Sequence, residues 1–178
     1  MVTADTPLEA ELHRLAGAVP DPELPVITLD ELGVLRGVRV DGPDKVTVRL
    51  TPTYTGCPAI ETMSADIERV LHEHGVVEVS VVTVLAPAWS TDDISAEGRR
   101  KLAEFGIAPP RPGRGPGGPG GPSGTGGPSG PVPLTLSVRC PHCGSTDTEL
   151  LSRFSSTACK ALRRCVACRE PFDHFKEL

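Results

Sequence analysis

Apolar residues recur at helical spacing near the start of the sequence and at strand spacing soon after it. Three leucines within residues 7–19 fall on one helical face, and "TLDELG" indicates a short helical piece that ends at Gly33. Residues 45–52, "KVTVRLTP", alternate apolar and polar side chains and predict a strand, while residues 34–42 alternate more weakly. The intervening "DGPD" has turn chemistry, so the two strands are predicted to form a hairpin.

The pattern continues with a helix, a strand and a second helix. An apolar stripe at helical spacing follows Cys57 and predicts a helix that starts at Pro58 and ends before Gly75. Residues 76–85, "VVEVSVVTVL", predict a third strand whose continuous apolar second half indicates burial. Residues 90–106 predict a helix capped by Ser95. This order indicates an α+β fold, with a small sheet of at least three strands covered by helices.

Glycine and proline dominate residues 109–133, "PPRPGRGPGGPGGPSGTGGPSGPVP". Such a stretch has almost nothing apolar to bury and cannot offset its own ordering entropy, so it predicts a flexible linker. We therefore expect a first domain in residues 1–108 and a second, small domain in residues 134–178.

Composition and charge exclude several classes of function. The 178 residues carry a formal net charge of −5, and neither half has the strong positive charge that nucleic-acid binding requires. The first residues lack a signal-peptide pattern, and no apolar run approaches the ~20 residues that span a bilayer. We expect a cytoplasmic protein, in which cysteine pairs stay reduced and favour metal over disulfides.

Two cysteine pairs near the end of the sequence have the spacing of a metal site. "CPHC" and "CVAC" can each present two sulfurs from a tight knuckle, and two knuckles close a tetrahedral four-sulfur site. The predicted ligands are Cys140, Cys143, Cys165 and Cys168, and the predicted domain is a zinc ribbon with structural zinc. An iron centre of rubredoxin type is the alternative, because four sulfurs do not choose between zinc and iron. Cys159 is a possible fifth sulfur near the second pair; it is expected to pack in the core, with an exposed redox role as the alternative.

Cys57 stands apart from these pairs, in "TPTYTGCPAIETM". The following proline suits the first position of a helix, so Cys57 is the predicted N-cap. Backbone N–H groups and the positive end of the helix dipole would then favour its thiolate, which a nucleophile or a soft-metal ligand needs. The plainer alternative is a small buried core residue. A thiol enzyme is the weakest alternative, because no general base is evident nearby.

"DPELPVITLDELG", two strands and "LTPTYTGCPA" before a helix resemble the SufT-like metal–sulfur cluster assembly family. The resemblance covers residues 8–106 and implies cluster assembly or delivery. Asp21, Thr51 and Cys57 match the marked positions of that family, with the cysteine as the expected ligand of a transient iron or iron–sulfur cluster. "TYTG" lengthens the approach to Cys57 beyond the common family pattern. Because a cluster usually takes four thiolates, a second chain or a partner would have to complete the shell.

Both halves together resemble the D proteins of phenylacetate degradation, through "PAWSTDDIS" and "SSTACKALRRC". That resemblance implies a non-catalytic accessory or maturation factor of the multicomponent phenylacetyl-CoA ring-epoxidising oxygenase. The implied partners are the oxygenase and reductase components, and a homodimer is a further expectation; neither nucleic acid nor membrane is among the expected partners. The alternative is a structural interaction subunit that docks these components without metal at Cys57.

Overall fold

The computed structural model describes residues 6–111 and 137–177. The chain forms two compact units, Met1–Lys101 and Leu102–Leu178. Most of the predicted linker, residues 109–133, lies outside the described residues, and the predicted domain boundaries stay predictions. None of the helices in the described ranges is long and apolar enough to cross a membrane.

The first unit follows the predicted order of helices and strands, with one extra 3-10 turn. The fold is therefore α+β, as the hydrophobic pattern predicts. Its elements are α1 (Pro7–Gly17), α2 (Leu29–Leu32), β1 (Leu35–Gly42), β2 (Lys45–Leu50), α3 (Ala59–Glu73), β3 (Glu78–Thr83), the turn Thr91–Asp93 and α4 (Ala96–Glu104), which continues into the second unit.

Side-chain caps fix where the helices begin. Thr6 and Glu9 form a capping box at α1, and Thr28 and Glu31 form another at α2. Each box satisfies two backbone N–H groups that have no partner inside the helix. At α4, the hydroxyl of Ser95 accepts a hydrogen bond of 2.9 Å from the N–H of Gly98, which confirms the predicted cap.

The sheet of the first unit has the order β1-β2-β3. β1 and β2 form the predicted antiparallel hairpin, whereas β3 pairs with β2 in parallel after the α3 crossover. Helices pack on one face of the sheet, and the apolar side chains between the layers form the core. The largest fully buried side chains in this unit include Ile27, Leu29, Leu32, Leu50, Met63, Ile67, Leu71, Ile94, Val34 and Val48.

The predicted burial of the third strand is wrong. β3 lies at the edge of the sheet, and Val82, Val77 and Leu85 are all exposed. A continuous apolar run cannot tell a central strand from an edge strand, because burial depends on which elements cover it.

The second unit contains a four-stranded sheet of order β4-β7-β6-β5. Phe172 and Phe175 are buried in it, while Leu150, Leu151 and Phe154 are exposed. Together with the paired cysteines, the sheet has the architecture of a zinc ribbon. The strands are β4 (Ile107–Ala108), β5 (Thr148–Ser152), β6 (Lys160–Cys165) and β7 (Pro171–Phe175).

Candidate functional site

Asp21 occupies a tight turn between α1 and α2. Its carboxylate Oδ1 accepts hydrogen bonds from the N–H groups of Glu23, at 2.9 Å, and Leu24, at 2.7 Å. Its own N–H donates to the carbonyl of Ile27 at 3.0 Å. Hydrogen bonds of both the side chain and the backbone of Asp21 therefore hold the turn. The side chain is only 4% exposed, and this burial raises the pKa of the Asp21 carboxyl. Asp21 is thus an Asx-type turn residue with an acid of increased proton affinity.

The prediction that Cys57 is the N-cap is wrong by one residue, because Cys57 precedes the cap of α3. Pro58 is the N-cap, and the helix begins at Ala59. The N–H of Cys57 donates to the carbonyl of Tyr54 at 3.2 Å, which closes the loop that enters the helix. Cys57 is buried, with 9% of the residue exposed, as the plainer alternative of a small core residue predicts.

The proton affinity of Cys57 is opposite to the expectation from the helix start. Burial raises the pKa of the Cys57 thiol, and the carboxylates of Glu23 and Asp21 raise it further. Hydrogen bonds from the Ala59 N–H and the Tyr54 side chain act in the other direction but do not outweigh burial. The expected preference for the thiolate is therefore not met, mainly because burial outweighs the hydrogen bond from the helix start, and the two carboxylates add to the effect of burial.

The structure brings Asp21 and Cys57 within electrostatic range of one another, and it adds Glu23 and Tyr54 to their surroundings. Sequence reasoning did not single out these two residues, although "DPE" and "TYTG" contain them. Thr51 is 1% exposed at the end of β2, where its N–H donates to the carbonyl of Val34 at 2.8 Å. This hydrogen bond fixes the end of β2 against the residue that precedes β1. A binding role for Thr51 stays a prediction.

Because its pKa is raised, the Cys57 thiol is a weaker nucleophile than an ordinary cysteine. Without a cation, the two carboxylates disfavour the thiolate; a metal ion would reverse the balance and favour thiolate and carboxylate together. The two histidines of α3 lie at the opposite end of the helix from Cys57. His72 and His74 are exposed there, with ring nitrogens at 2.8 Å from the carbonyls of Val76 and Val70.

The four cysteines of the second unit converge on one point. Their sulfur atoms all lie within 4.8 Å of one another. The sulfurs of Cys140 and Cys168 are 3.8 Å apart, and those of Cys143 and Cys165 are 3.5 Å apart. A tetrahedral ion with metal–sulfur bonds of about 2.3 Å requires sulfur separations of about 3.8 Å. The donor set therefore fits a metal ion that takes four thiolates.

Backbone N–H groups at the second cysteine pair, Cys165 and Cys168, favour the thiolate form of both side chains. A hydrogen bond from the Cys168 N–H lowers the pKa of the Cys165 thiol to about 7. The Glu170 N–H favours the thiolate of Cys168, but burial and the neighbouring cysteines raise its pKa to about 12. A bound cation would outweigh the effects that disfavour the thiolate of Cys168, because it stabilises all four thiolates at once.

The fifth cysteine of this unit has a separate place. Cys159 is 3% exposed, and its sulfur lies 3.0 Å from the hydroxyl of Thr157. It does not belong to the four-sulfur group, which confirms the expected packing role. Among the described residues, that group is the one set of three or more cysteine, histidine or acidic side chains placed to hold a metal.

Two family models match the chain, one in each part. Residues 12–82 match an iron-sulfur cluster assembly protein family, and residues 128–176 match the PaaD zinc beta ribbon domain. The first range contains Asp21, Thr51 and Cys57, and the second contains all four cysteines of the metal site.

Similar proteins cover both the whole chain and its first part. An Escherichia coli protein, the D component of a "Putative 1,2-phenylacetyl-CoA epoxidase", is 42% identical over 99% of this chain and 97% of its own. An Fe-S protein maturation auxiliary factor of Porphyromonas gingivalis is 34% identical over 53% of this chain and 90% of its own. A crystal structure of a DUF59 domain from Bacillus anthracis, 29% identical, covers 53% of this chain and 90% of that one with a TM-score of 0.48.

A fold that joins a small α+β unit to a four-cysteine ribbon defines a two-part metal-associated protein. The identity along nearly the full length of both chains makes the relationship specific. The chain belongs to the family of the epoxidase D component from Escherichia coli.

Proposed function

We propose that this protein is a non-catalytic accessory factor that helps to assemble an iron–sulfur or iron centre of the ring-epoxidising phenylacetyl-CoA oxygenase. The observation that carries the proposal is the full-length relationship to the epoxidase D component, whose matching region includes the cluster-assembly family match. The Porphyromonas relative, a maturation auxiliary factor, supports the same role for the first unit. In this proposal the protein acts in the maturation of the oxygenase of phenylacetate catabolism, and another component carries out the oxidation.

In this proposal, iron or an iron–sulfur cluster is cargo that passes through the Cys57 site. Cys57 supplies a sulfur ligand, and Asp21 accepts the proton or supplies an oxygen ligand. The increased proton affinity of both groups supports release of the cargo, because protonation competes with the metal. One cysteine does not hold a cluster, so a second copy in a homodimer or the client completes the shell.

The four-cysteine site holds structural zinc in this proposal. The match to a zinc beta ribbon supports zinc over iron, whereas the sulfur geometry fits either ion. The exposed Leu150, Leu151 and Phe154 offer apolar surface for contact with the oxygenase and reductase components. We place the protein in the cytoplasm, where the cysteine pairs remain reduced and available to metal.

The experiment compares the wild-type chain with Cys57→Ser and with Cys159→Ala as the matched control. Each is produced in cells that make the oxygenase but lack this protein, and the iron content and epoxidase activity of the purified oxygenase are measured. We expect both to fall with Cys57→Ser while Cys159→Ala supports wild-type levels. Full iron content and activity with Cys57→Ser would contradict the carrier role.

The alternative is a structural interaction subunit that docks the components without metal at Cys57. The burial of Cys57 favours this alternative, because a buried sulfur is poorly placed to receive or hand over a metal. Co-purification distinguishes the two. A stoichiometric complex with oxygenase and reductase that forms equally well with Cys57→Ser, together with unchanged iron content, supports docking alone.

A further inference from the structure

Arg111 and Ser137, the residues that flank 112–136 in the sequence, are joined by a hydrogen bond between their side chains. The guanidinium of Arg111 donates a hydrogen bond of 3.0 Å to the hydroxyl of Ser137. Just outside this pair, Ala108 and Val138 belong to the same buried apolar cluster. The residues just before and just after 112–136 therefore lie close together in the second unit.

The strand before this stretch completes the sheet formed after it. β4 pairs in parallel with β7, with Ile107 opposite Asp173 and Ala108 opposite His174. Ile107 is 4% exposed and Ala108 is 2% exposed, so both residues are buried. β4 lies before residue 134, the predicted start of the ribbon, and yet it is one of the four strands of the ribbon sheet.

The same segment packs directly on the metal-binding residues. Ala108 shares its cluster with Cys140 and Cys165, one ligand from each knuckle. Gly106 has a φ of +87°, and a Cβ built there would lie 3.3 Å from Cε1 of His142, inside the first knuckle. A side chain at this position would be strained and would press on the knuckle.

We propose that residues 106–111 are an integral part of the metal module and that the bound metal ion holds them in place. Residues 112–136 then join two parts of that one module and do not connect two domains. The four-sulfur site fixes Cys140 and Cys165, and these two residues form the surface against which Ala108 packs. In so small a module metal binding supplies most of the folding free energy, so loss of the metal releases β4.

The test uses the full chain with a protease recognition sequence inserted after Thr125. The zinc-loaded protein is cleaved to completion, and size-exclusion chromatography under native conditions shows whether the two pieces remain together. We expect them to co-elute, because β4 of the first piece stays in the sheet of the second. Addition of a strong zinc chelator is expected to separate them. Separation of the zinc-loaded pieces, or co-elution after removal of zinc, would overturn the proposal.

Two variants test whether β4 carries the association. Ile107→Asp places a charge in the buried strand beside Asp173, and we expect it to weaken the association of the cleaved pieces by at least about tenfold. Arg111→Ala removes only the contact to Ser137 and is expected to weaken it less. Cobalt absorbance of each uncleaved variant reports that the four-thiolate site has formed. Undiminished association of a cobalt-binding Ile107→Asp protein would show that other contacts hold the pieces, contrary to the proposal.

Discussion

Burial raises the pKa of the Cys57 thiol, and the carboxylate of Asp21 raises it further, although the two residues come from different loops of the fold. The turn that begins at Asp21 also contributes Glu23, whose charge acts in the same direction. The turn and the start of α3 therefore form one electrostatic site. This relationship makes the thiol sensitive to any change of charge on the turn.

Removal of either charge is expected to lower the pKa of Cys57. Asp21→Asn keeps an oxygen that can accept the hydrogen bonds of Glu23 and Leu24, and Glu23→Gln is the matched variant. The measurement is the pH dependence of Cys57 alkylation, followed by mass spectrometry of the peptide that contains it. We expect the midpoint to fall in both variants. An unchanged or higher midpoint in both would contradict the electrostatic account.

Tyr54→Phe is expected to shift the same midpoint upward. The Tyr54 side chain favours the thiolate through a hydrogen bond, and phenylalanine removes that bond while it keeps the ring. Alkylation of Cys57 should become slower at a fixed pH near neutrality. Circular dichroism of the variant serves as the control for an intact fold. Faster alkylation would mean that the hydroxyl acts mainly as a barrier to solvent.

Loss of one buried metal ligand is expected to unfold the metal module. Cys165 is 0% exposed, and Cys165→Ser replaces a soft sulfur ligand with a hydroxyl. Structural zinc sites contribute about 10–16 kcal/mol of apparent binding free energy, so the loss exceeds what the small module can otherwise supply. Zinc content and near-ultraviolet circular dichroism measure the effect.

Cys159→Ala provides the contrast, because Cys159 is buried but lies outside the four-sulfur group. It should retain full zinc content and lose only roughly 1 kcal/mol of stability. Equal zinc loss in the two variants would argue against the assignment of the ligands.

His174 is expected to make the second unit less stable at mildly acidic pH. Burial lowers the pKa of its imidazole to about 4, and the charges of Arg163 and Arg111 add to this. The unfolded chain takes up a proton near the ordinary pKa of about 6.5, whereas the folded state remains neutral. Stability therefore falls as the pH decreases from about 6.5 to about 4, by on the order of 3 kcal/mol.

His174→Leu tests this assignment, since it removes the titrating group and keeps an apolar side chain in the strand. The difference in unfolding free energy between wild type and variant, measured in denaturant with zinc present, should change across this pH range and flatten below it. A difference that does not vary with pH would show that His174 does not contribute to the acid sensitivity.

Local chemistry made much of the first unit predictable. The hairpin, the short helix that ends at Gly33 and the Ser95 cap depend on neighbouring residues, and the structure contains all three. The four-cysteine group was also predictable, because the spacing within each pair encodes a knuckle.

The features that sequence reasoning missed depend on contacts between distant parts of the chain. The exposure of Val82 follows from the edge position of β3, and the raised pKa of Cys57 follows from its burial and, to a smaller extent, from charges on the turn of Asp21. A two-residue strand such as β4 has no measurable periodicity, so the pattern around Ile107 could not indicate its place in the second sheet.

The position of β4 beside β7 has a practical consequence for anyone who wishes to prepare the cysteine-rich part alone. A recombinant fragment that begins at residue 134 would leave the backbone groups of Asp173 and His174 without their neighbours and would uncover the apolar surface that Ala108 fills. Exposed strand edges of this kind pair with strands of other molecules, which leads to aggregation. Such a fragment would tend to precipitate during purification, whereas one that begins at the start of α4 would carry its own protective strand.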